Sequence, residues 1–312
     1  MKEDVTRRFI GGFRFYAQHA RKLEIDILHA HFAQTGYYAL HAKRELGIPL
    51  ITSFYGQDVF EIPAAAKWKK RYEKLFAEGD LFLALSEDMK KDLIDQGCPK
   101  EKIRIYRLGI DLSEFNVYEK PNRNRLVILT VARLVEKKGI EYLIKATARL
   151  VIQQQIPVHL KIIGDGPLRG ELKSLASTIP GGQAISFAGR VPFAQLPEEM
   201  RQADIFCLPS VTDRHGGKDE ISMVLKEAMG TATPVVATHH AGIPEVIEHN
   251  VNGLLTPERD VDALAEALGK LAMNRDMRIE IGMAGRKLVE RVWNIDRQVD
   301  ELESIYHEVK KS

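Results

Sequence analysis

The loop that follows the apolar run ADIFCLPSV holds the densest set of reactive side chains in this 312-residue chain. It reads TDRHGGKDEISM and passes directly into VLKEAMG. Glycines, acids and a base precede a stretch of helical period, so Ile221, Ser222 and Met223 are expected to present amides at a helix N-terminus, with Glu227 two turns in. Amides in that setting suit a phosphate, and a carboxylate suits sugar hydroxyls. Asp219 and Glu227 then belong to one side of one pocket, with Glu220 beside the first acid. The plain alternative for Glu227 is a surface helical glutamate. Its neighbours Val224, Leu225, Ala228 and Met229 are apolar, which favours the pocket.

Three further loops stand directly after apolar runs, where open parallel sheets bind their ligands. After LVILTVA, the segment RLVEKKG places Arg133, Lys137 and Lys138 with a glycine at the start of a helix, an arrangement that attracts an anion. A solvated basic turn is the plain alternative. After VHLKIIG, the run from Gly164 to Pro167 permits tight backbone geometry and reads mainly as a structural elbow lining the cleft, with Asp165 able to cap and Pro167 suited to a first helical position. After AISFAG, the backbone around Val191 is placed to read a planar base.

Short apolar runs alternate with longer amphipathic segments almost throughout, which predicts an α/β fold of parallel sheets flanked by helices. Strands are expected at 25–29, 50–54, 81–85 and 103–107, with helices at 36–46 and 65–77 between them. The polar stretch NVYEKPNRNR, 116–125, has no hydrophobic period and reads as a linker. A second domain is expected to follow with six strand–helix alternations. The domain reading is 1–118, 122–294, and a docking helix 295–312 whose apolar stripe is Ile295, Val299, Leu302, Ile305 and Tyr306.

Composition narrows the remaining classes. With 45% apolar, 28% charged and 7% aromatic residues the chain is an ordinary globular protein, not a disordered or collagen-like one. The 45 Lys and Arg against 43 Asp and Glu give no field for nucleic acid. Cys98 and Cys207 stand far apart with no zinc-ligand spacing and read as buried small hydrophobes in a reducing compartment. No apolar run approaches the ~18 residues of a membrane span, and the opening MKEDVTRRF is not a signal peptide, so a cytoplasmic location is expected. The cluster KWKKRY, Lys67 to Tyr72, offers peripheral contact with an anionic membrane surface; a solvated helix face is the plainer reading.

The motifs VARLVEKKG, KIIGDGPLR, ISFAGRV, LKEAMGTATPVVAT and AGIPEVIEHNVNGLLTP, in that order, resemble the retaining nucleotide-sugar glycosyltransferases of family 4. TSFYGQD and VTDRHGGKDE resemble the members that assemble exopolysaccharide or lipopolysaccharide. The resemblance implies two facing Rossmann-like domains, the GT-B fold. It implies transfer of a sugar from a nucleotide-diphosphate sugar, UDP- or GDP-linked, to a glycan or lipid-linked acceptor. Arg133 and Lys138 would hold the donor diphosphate, the backbone at Val191 would meet the base, and Glu227 would accept ribose hydroxyls. Asp219 matches the first acid of the family's E-x7-E motif, which orients the sugar. Asp stands there in place of Glu and Glu220 follows it, so either acid is a candidate for the sugar. The amides of Ile221 to Met223 and the Gly164 turn would line the phosphates. His31 of HAHF matches the cleft histidine, and Gly56 and Asp58 would fall in an acceptor-facing loop. No Asp-x-Asp motif occurs in these loops, and no metal or other cofactor is expected.

Against the family pattern HAHF stands early, at 29–32, and Gly11 and Gly12 are expected in an amphipathic helix, not after a strand. The first domain is therefore expected to be short or incomplete, and a non-catalytic nucleotide-sugar-binding remnant is the alternative function.

Overall fold

The structure is a computed structural model and describes residues 15–60, 66–118, 120 and 123–311; Gly11 and Gly12 lie outside them. The chain forms two compact units, residues 1–107 with 298–312, and residues 108–297.

The first unit is built on a parallel sheet in the order β1 (Leu28–His31), β2 (Leu50–Ser53), β3 (Leu81–Ala84) and β4 (Ile103–Ile105). Helices of this unit include α1 (Ala33–Leu46), the single turn α2 (Gln57–Phe60), α3 (Ala66–Glu78) and α4 (Glu87–Asp95). All four residues of β2 and of β3 are buried, as expected of central strands covered on both faces. The strand expected at 25–29 is instead Leu28–His31 and includes both histidines of HAHF, with His29 paired to Ile51 and His31 to Ser53.

The second unit carries a six-stranded parallel sheet. Its strands are β5 (Leu126–Val131), β6 (Val158–Ile163), β7 (Ile185–Gly189), β8 (Ile205–Leu208), β9 (Val235–Thr238) and β10 (Leu254–Thr256), in the order β10-β9-β8-β5-β6-β7. Neighbouring strand residues alternate between two cores. Ile128, Ile162 and Cys207 pack under α5 (Ile140–Ile152), α6 (Arg169–Thr178) and α9 (Val261–Met273). Leu129, Ile163 and Phe206 pack on the other side with α7 (Leu196–Gln202), α8 (Met223–Gly230) and α10 (Arg275–Val292). The order reverses between β5 and β8, and that switch point is where a doubly wound sheet opens a crevice at its carboxyl edge.

Two organisational expectations change. The second unit begins at Leu108, ahead of the polar 116–125 stretch, because Ile110 and Phe115 are buried in its core and Ile110 exchanges backbone bonds with Trp293 and Ile295. The last helix, α11 (Ile295–Lys311), belongs to the first unit from Gln298 on. Its buried residues are Gln298 and Ile305, whereas Ile295 and Val299 of the expected stripe are exposed. Leu302 and Tyr306 of the same stripe are half-buried, so its later part docks as expected; Tyr306 bonds His29, and the exposed ion pairs Arg104–Glu308 and Lys310–Asp26 flank the contact. Cys98 and Cys207 are both free and buried.

Candidate active site

The carboxyl ends of β5, β6 and β7 and the start of α8 enclose a cleft of about 580 Å³ in the second unit. Of the residues singled out in the sequence, Arg133, Lys138, Gly164, Val191 and Ser222 line it. Asp165, of the elbow expected to line the cleft, also lines it, together with Arg190 and Phe193, so three cations face the space against one acid. Such a cleft concentrates an anion at a topological switch point.

Backbone geometry explains why these side chains meet. Gly164 has φ of +131°, and a Cβ there would stand 1.8 Å from the Ala132 carbonyl oxygen, so only glycine lets the turns after β5 and β6 close on each other. Gly139 has φ of +61°, and a Cβ would meet the Pro209 oxygen at 1.9 Å. That contact, with the Val211 amide donating to the Lys137 carbonyl at 2.9 Å, lays the basic turn against the loop after β8.

The result is an ion pair. Lys138 Nζ lies 2.7 and 2.6 Å from the Asp219 carboxylate oxygens, and the Ser210 hydroxyl donates to Asp219 Oδ2 at 2.7 Å. The lysine and aspartate side chains are only 13% and 11% exposed, so the pair is held largely out of water. An ammonium has three N–H groups, and a lysine so placed still has one for a second anion.

Helix α8 starts at Met223 with Ser222 as its extended N-cap residue, so Glu227 is little more than one turn in, not two. The surface alternative for Glu227 is excluded: it is 5% exposed, and its Oε2 has no hydrogen-bond partner. Burial raises its pKa to about 7, the Lys226 ammonium opposing and Glu114 reinforcing the shift. A buried carboxyl with an open acceptor position calls for hydroxyl donors. Glu220 is buried too, and Ile221 packs into the core rather than lining the cleft. Met223 is half-buried against that core. The cleft reaches helix α8 through Ser222 and Val224 instead.

Asp165 accepts the Gly166 amide at 2.8 Å, and α6 begins at Arg169, so Pro167 precedes the helix rather than opening it. In the first unit His31 ends β1, exposed, with Nδ1 2.5 Å from the Tyr55 hydroxyl. Its ring stacks on His29 at 4.7 Å between centroids. Asp58, expected in an acceptor-facing loop, turns its side chain into the unit. It is fully buried and its two oxygens accept the amides of Ala33 and Tyr55 at 3.0 and 2.9 Å, which pins the turn carrying Phe32 and the start of α1.

Sequence reasoning passed over His240 and Glu258. His240 Nε2 accepts the Asp219 amide at 2.8 Å, and its Nδ1 lies 2.6 Å from Glu258 Oε1. Both residues follow strands, β9 and β10, and the rule that picked out the other loops applies to them equally.

Two parallel-sheet α/β units, one with a cation-lined cleft at its switch point, have the GT-B architecture of the solved glycosyltransferase structures they resemble. Residues 114–288 match the family described as glycosyl transferases group 1, and residues 3–114 match glycosyltransferase family 4. The chain belongs to this glycosyltransferase family. It is 36% identical over 282 residues to the amylovoran biosynthesis glycosyltransferase AmsK of Erwinia amylovora, covering 89% of this chain and 69% of that protein. Among solved structures it resembles Anabaena Alr3699/HepE in complex with UDP, with a TM-score of 0.81 at 20% identity over 95% of this chain and 82% of that one. A glycosyltransferase from Rickettsia africae gives 0.83 at 19%, over 97% and 82%. Among the described residues no helix is long and apolar enough to cross a membrane.

Proposed function

We propose that this glycosyltransferase moves a sugar, with retention at the anomeric carbon, from a nucleotide-diphosphate sugar to a glycan or lipid-linked acceptor in exopolysaccharide assembly. The observation that carries the reading is the cationic cleft of Arg133, Lys138 and Arg190 at the switch point, with Lys138 paired to Asp219 and the buried Glu227 on the following helix. Arg133 and Lys138 hold the diphosphate and stabilise charge on the leaving phosphate. The backbone at Val191 meets the base, the open oxygen of Glu227 accepts ribose hydroxyls, and Asp219 or Glu220 orients the sugar. His31 serves the sugar or acceptor. The C1–O bond to phosphate breaks as the acceptor oxygen bonds to C1 on the same face, and the acceptor proton passes to the departing phosphate oxygen. This requires neither an enzyme nucleophile nor a metal.

The likeness to AmsK, named for amylovoran biosynthesis, supports a polysaccharide role, and the HepE structure with UDP supports a nucleotide donor. The exposed Lys67, Lys69 and Lys70 form a cationic helix face that suits contact with the cytoplasmic membrane surface.

Calorimetric titration with UDP and GDP, followed by release of either from a panel of nucleotide sugars in EDTA, tests the proposal. An α-linked sugar donor should give an α-linked product by proton NMR. Tight nucleotide binding without turnover on any acceptor would favour the binding remnant instead.

A further inference from the structure

The loop bearing Asp219 runs from the end of β8 to the start of α8 with no helix or strand of its own. Its tip is internally ordered: Asp213 Oδ1 accepts the amides of His215 and Gly217, each at 2.8 Å. Both ends of the tip are held by one pair of side chains. At the start, the Thr212 amide donates to Glu258 Oε2 at 2.8 Å, and the Thr212 hydroxyl lies 3.3 Å from Oε1. At the end, the Asp219 amide donates to His240 Nε2 at 2.8 Å. His240 Nδ1 and Glu258 Oε1 close the circuit at 2.6 Å.

The bonds fix the tautomer. A nitrogen that accepts an amide N–H bears no proton, so Nδ1 carries it and donates to Glu258. His240 is 2% exposed, so its ring cannot turn to water for other partners. Arg259 completes the arrangement by donating to Glu258 Oε2 at 3.1 Å and to the Thr212 carbonyl. Asp219 is thus fixed through its backbone by His240 and through its carboxylate by Lys138 and Ser210.

We propose that His240 and Glu258 are positioning residues for glycosyl transfer, setting where the Asp219 carboxylate and its Lys138 partner stand. The inference rests on the reading that Asp219 works at the transferred sugar. A displacement of about 1 Å at a reacting centre costs on the order of a hundredfold in rate. Loss of the clamp should therefore lower kcat far more than it weakens nucleotide binding, which the remainder of the cleft supplies.

The test uses the full chain with His240→Ala, His240→Gln, Glu258→Gln and Asp219→Asn, each checked for folding by circular dichroism. Affinity for UDP or GDP is measured by calorimetry, and kcat and donor KM by nucleotide release. His240→Ala should lose about thirtyfold or more in kcat with nucleotide affinity within about threefold. His240→Gln should recover much of that loss, because its amide oxygen replaces Nε2 as acceptor for the Asp219 N–H. Should His240→Ala prove unfolded, Glu258→Gln carries the same expectation in a milder form. Wild-type kcat in the folded His240 and Glu258 variants would overturn the inference, as would a loss of nucleotide affinity equal to the loss of rate. If Asp219→Asn is itself fully active, the reading of the site fails; if it is inactive while His240→Ala is active, only the clamp fails.

Discussion

Lys138 and Asp219, 81 positions apart in the chain, meet as a largely buried ion pair with the ammonium within 2.7 Å of both carboxylate oxygens. Removing one partner of such a pair strands the other charge, at a cost of about 3 to 5 kcal/mol when burial is complete and less at the residual exposure here. Lys138→Ala should therefore lower both the melting temperature and the transfer rate. Pairing it with Asp219→Asn should restore much of the melting temperature and none of the rate. Thermal denaturation with initial-rate assays checks this; a double variant no more stable than Lys138→Ala would show that the pair is not coupled.

Glu227 offers a trade between stability and binding. Its folded pKa of about 7 lies above the ordinary 4.5, so the folded chain holds a proton that the unfolded chain releases between those values. Its contribution is then most favourable below pH 4.5 and is lost as pH rises through 7. Glu227→Gln removes the ionisable group and should raise the melting temperature relative to wild type at pH 8 while leaving the two alike at pH 4.5. If the carboxyl receives ribose hydroxyls, the same variant should weaken UDP or GDP binding about tenfold or more. Melting curves at the two pH values and a calorimetric titration read both effects.

Much of the fold was legible because parallel strands buried on two faces are continuous apolar runs, and LVILTVA, VHLKIIG and TPVVAT each gave a strand within two residues of its expected ends. The Lys138–Asp219 bond was not legible, since it depends on Gly139 letting one turn close on Pro209, a contact between distant segments. His240 and Glu258 carried a usable signal, their position just after strands, that was not followed. The apolar stripe on α11 was legible in part. Leu302, Ile305 and Tyr306 are covered as the helical period predicts, whereas Ile295 and Val299, nearer the helix start, are exposed.

Gly164 tests whether the cleft depends on backbone closeness. A methyl group at this position would strain a left-handed φ and meet the Ala132 carbonyl at 1.8 Å. The β5 and β6 turns would have to part, so Gly164→Ala should lower stability by about 2 kcal/mol or more and weaken nucleotide binding. Gly170, where an added Cβ meets nothing within 4 Å, provides the control: Gly170→Ala should leave both measurements unchanged or raise stability slightly. Equal behaviour of the two variants in thermal denaturation would remove the role assigned to the turn.

His29 makes the first unit acid-sensitive. Burial, and then repulsion from His31, lowers its pKa from 6.5 to about 4. Nδ1 lies 2.6 Å from the Tyr306 hydroxyl of α11 and Nε2 2.8 Å from the Ser53 hydroxyl, so both ring nitrogens are engaged. Between pH 6.5 and 4 the unfolded chain binds a proton that the folded chain refuses. The stability contributed by neutral His29 is thus present above pH 6.5 and declines as pH falls across that window. Tyr306→Phe removes one partner and should lower the melting temperature at pH 7.5, by an amount equivalent to about 1 kcal/mol. His29→Gln should lower it as well but flatten its dependence on pH, because nothing remains at that position to titrate. Melting temperatures at pH 7.5, 6.0 and 5.0 decide the matter: an acid slope in His29→Gln as steep as in wild type would place the sensitive group elsewhere.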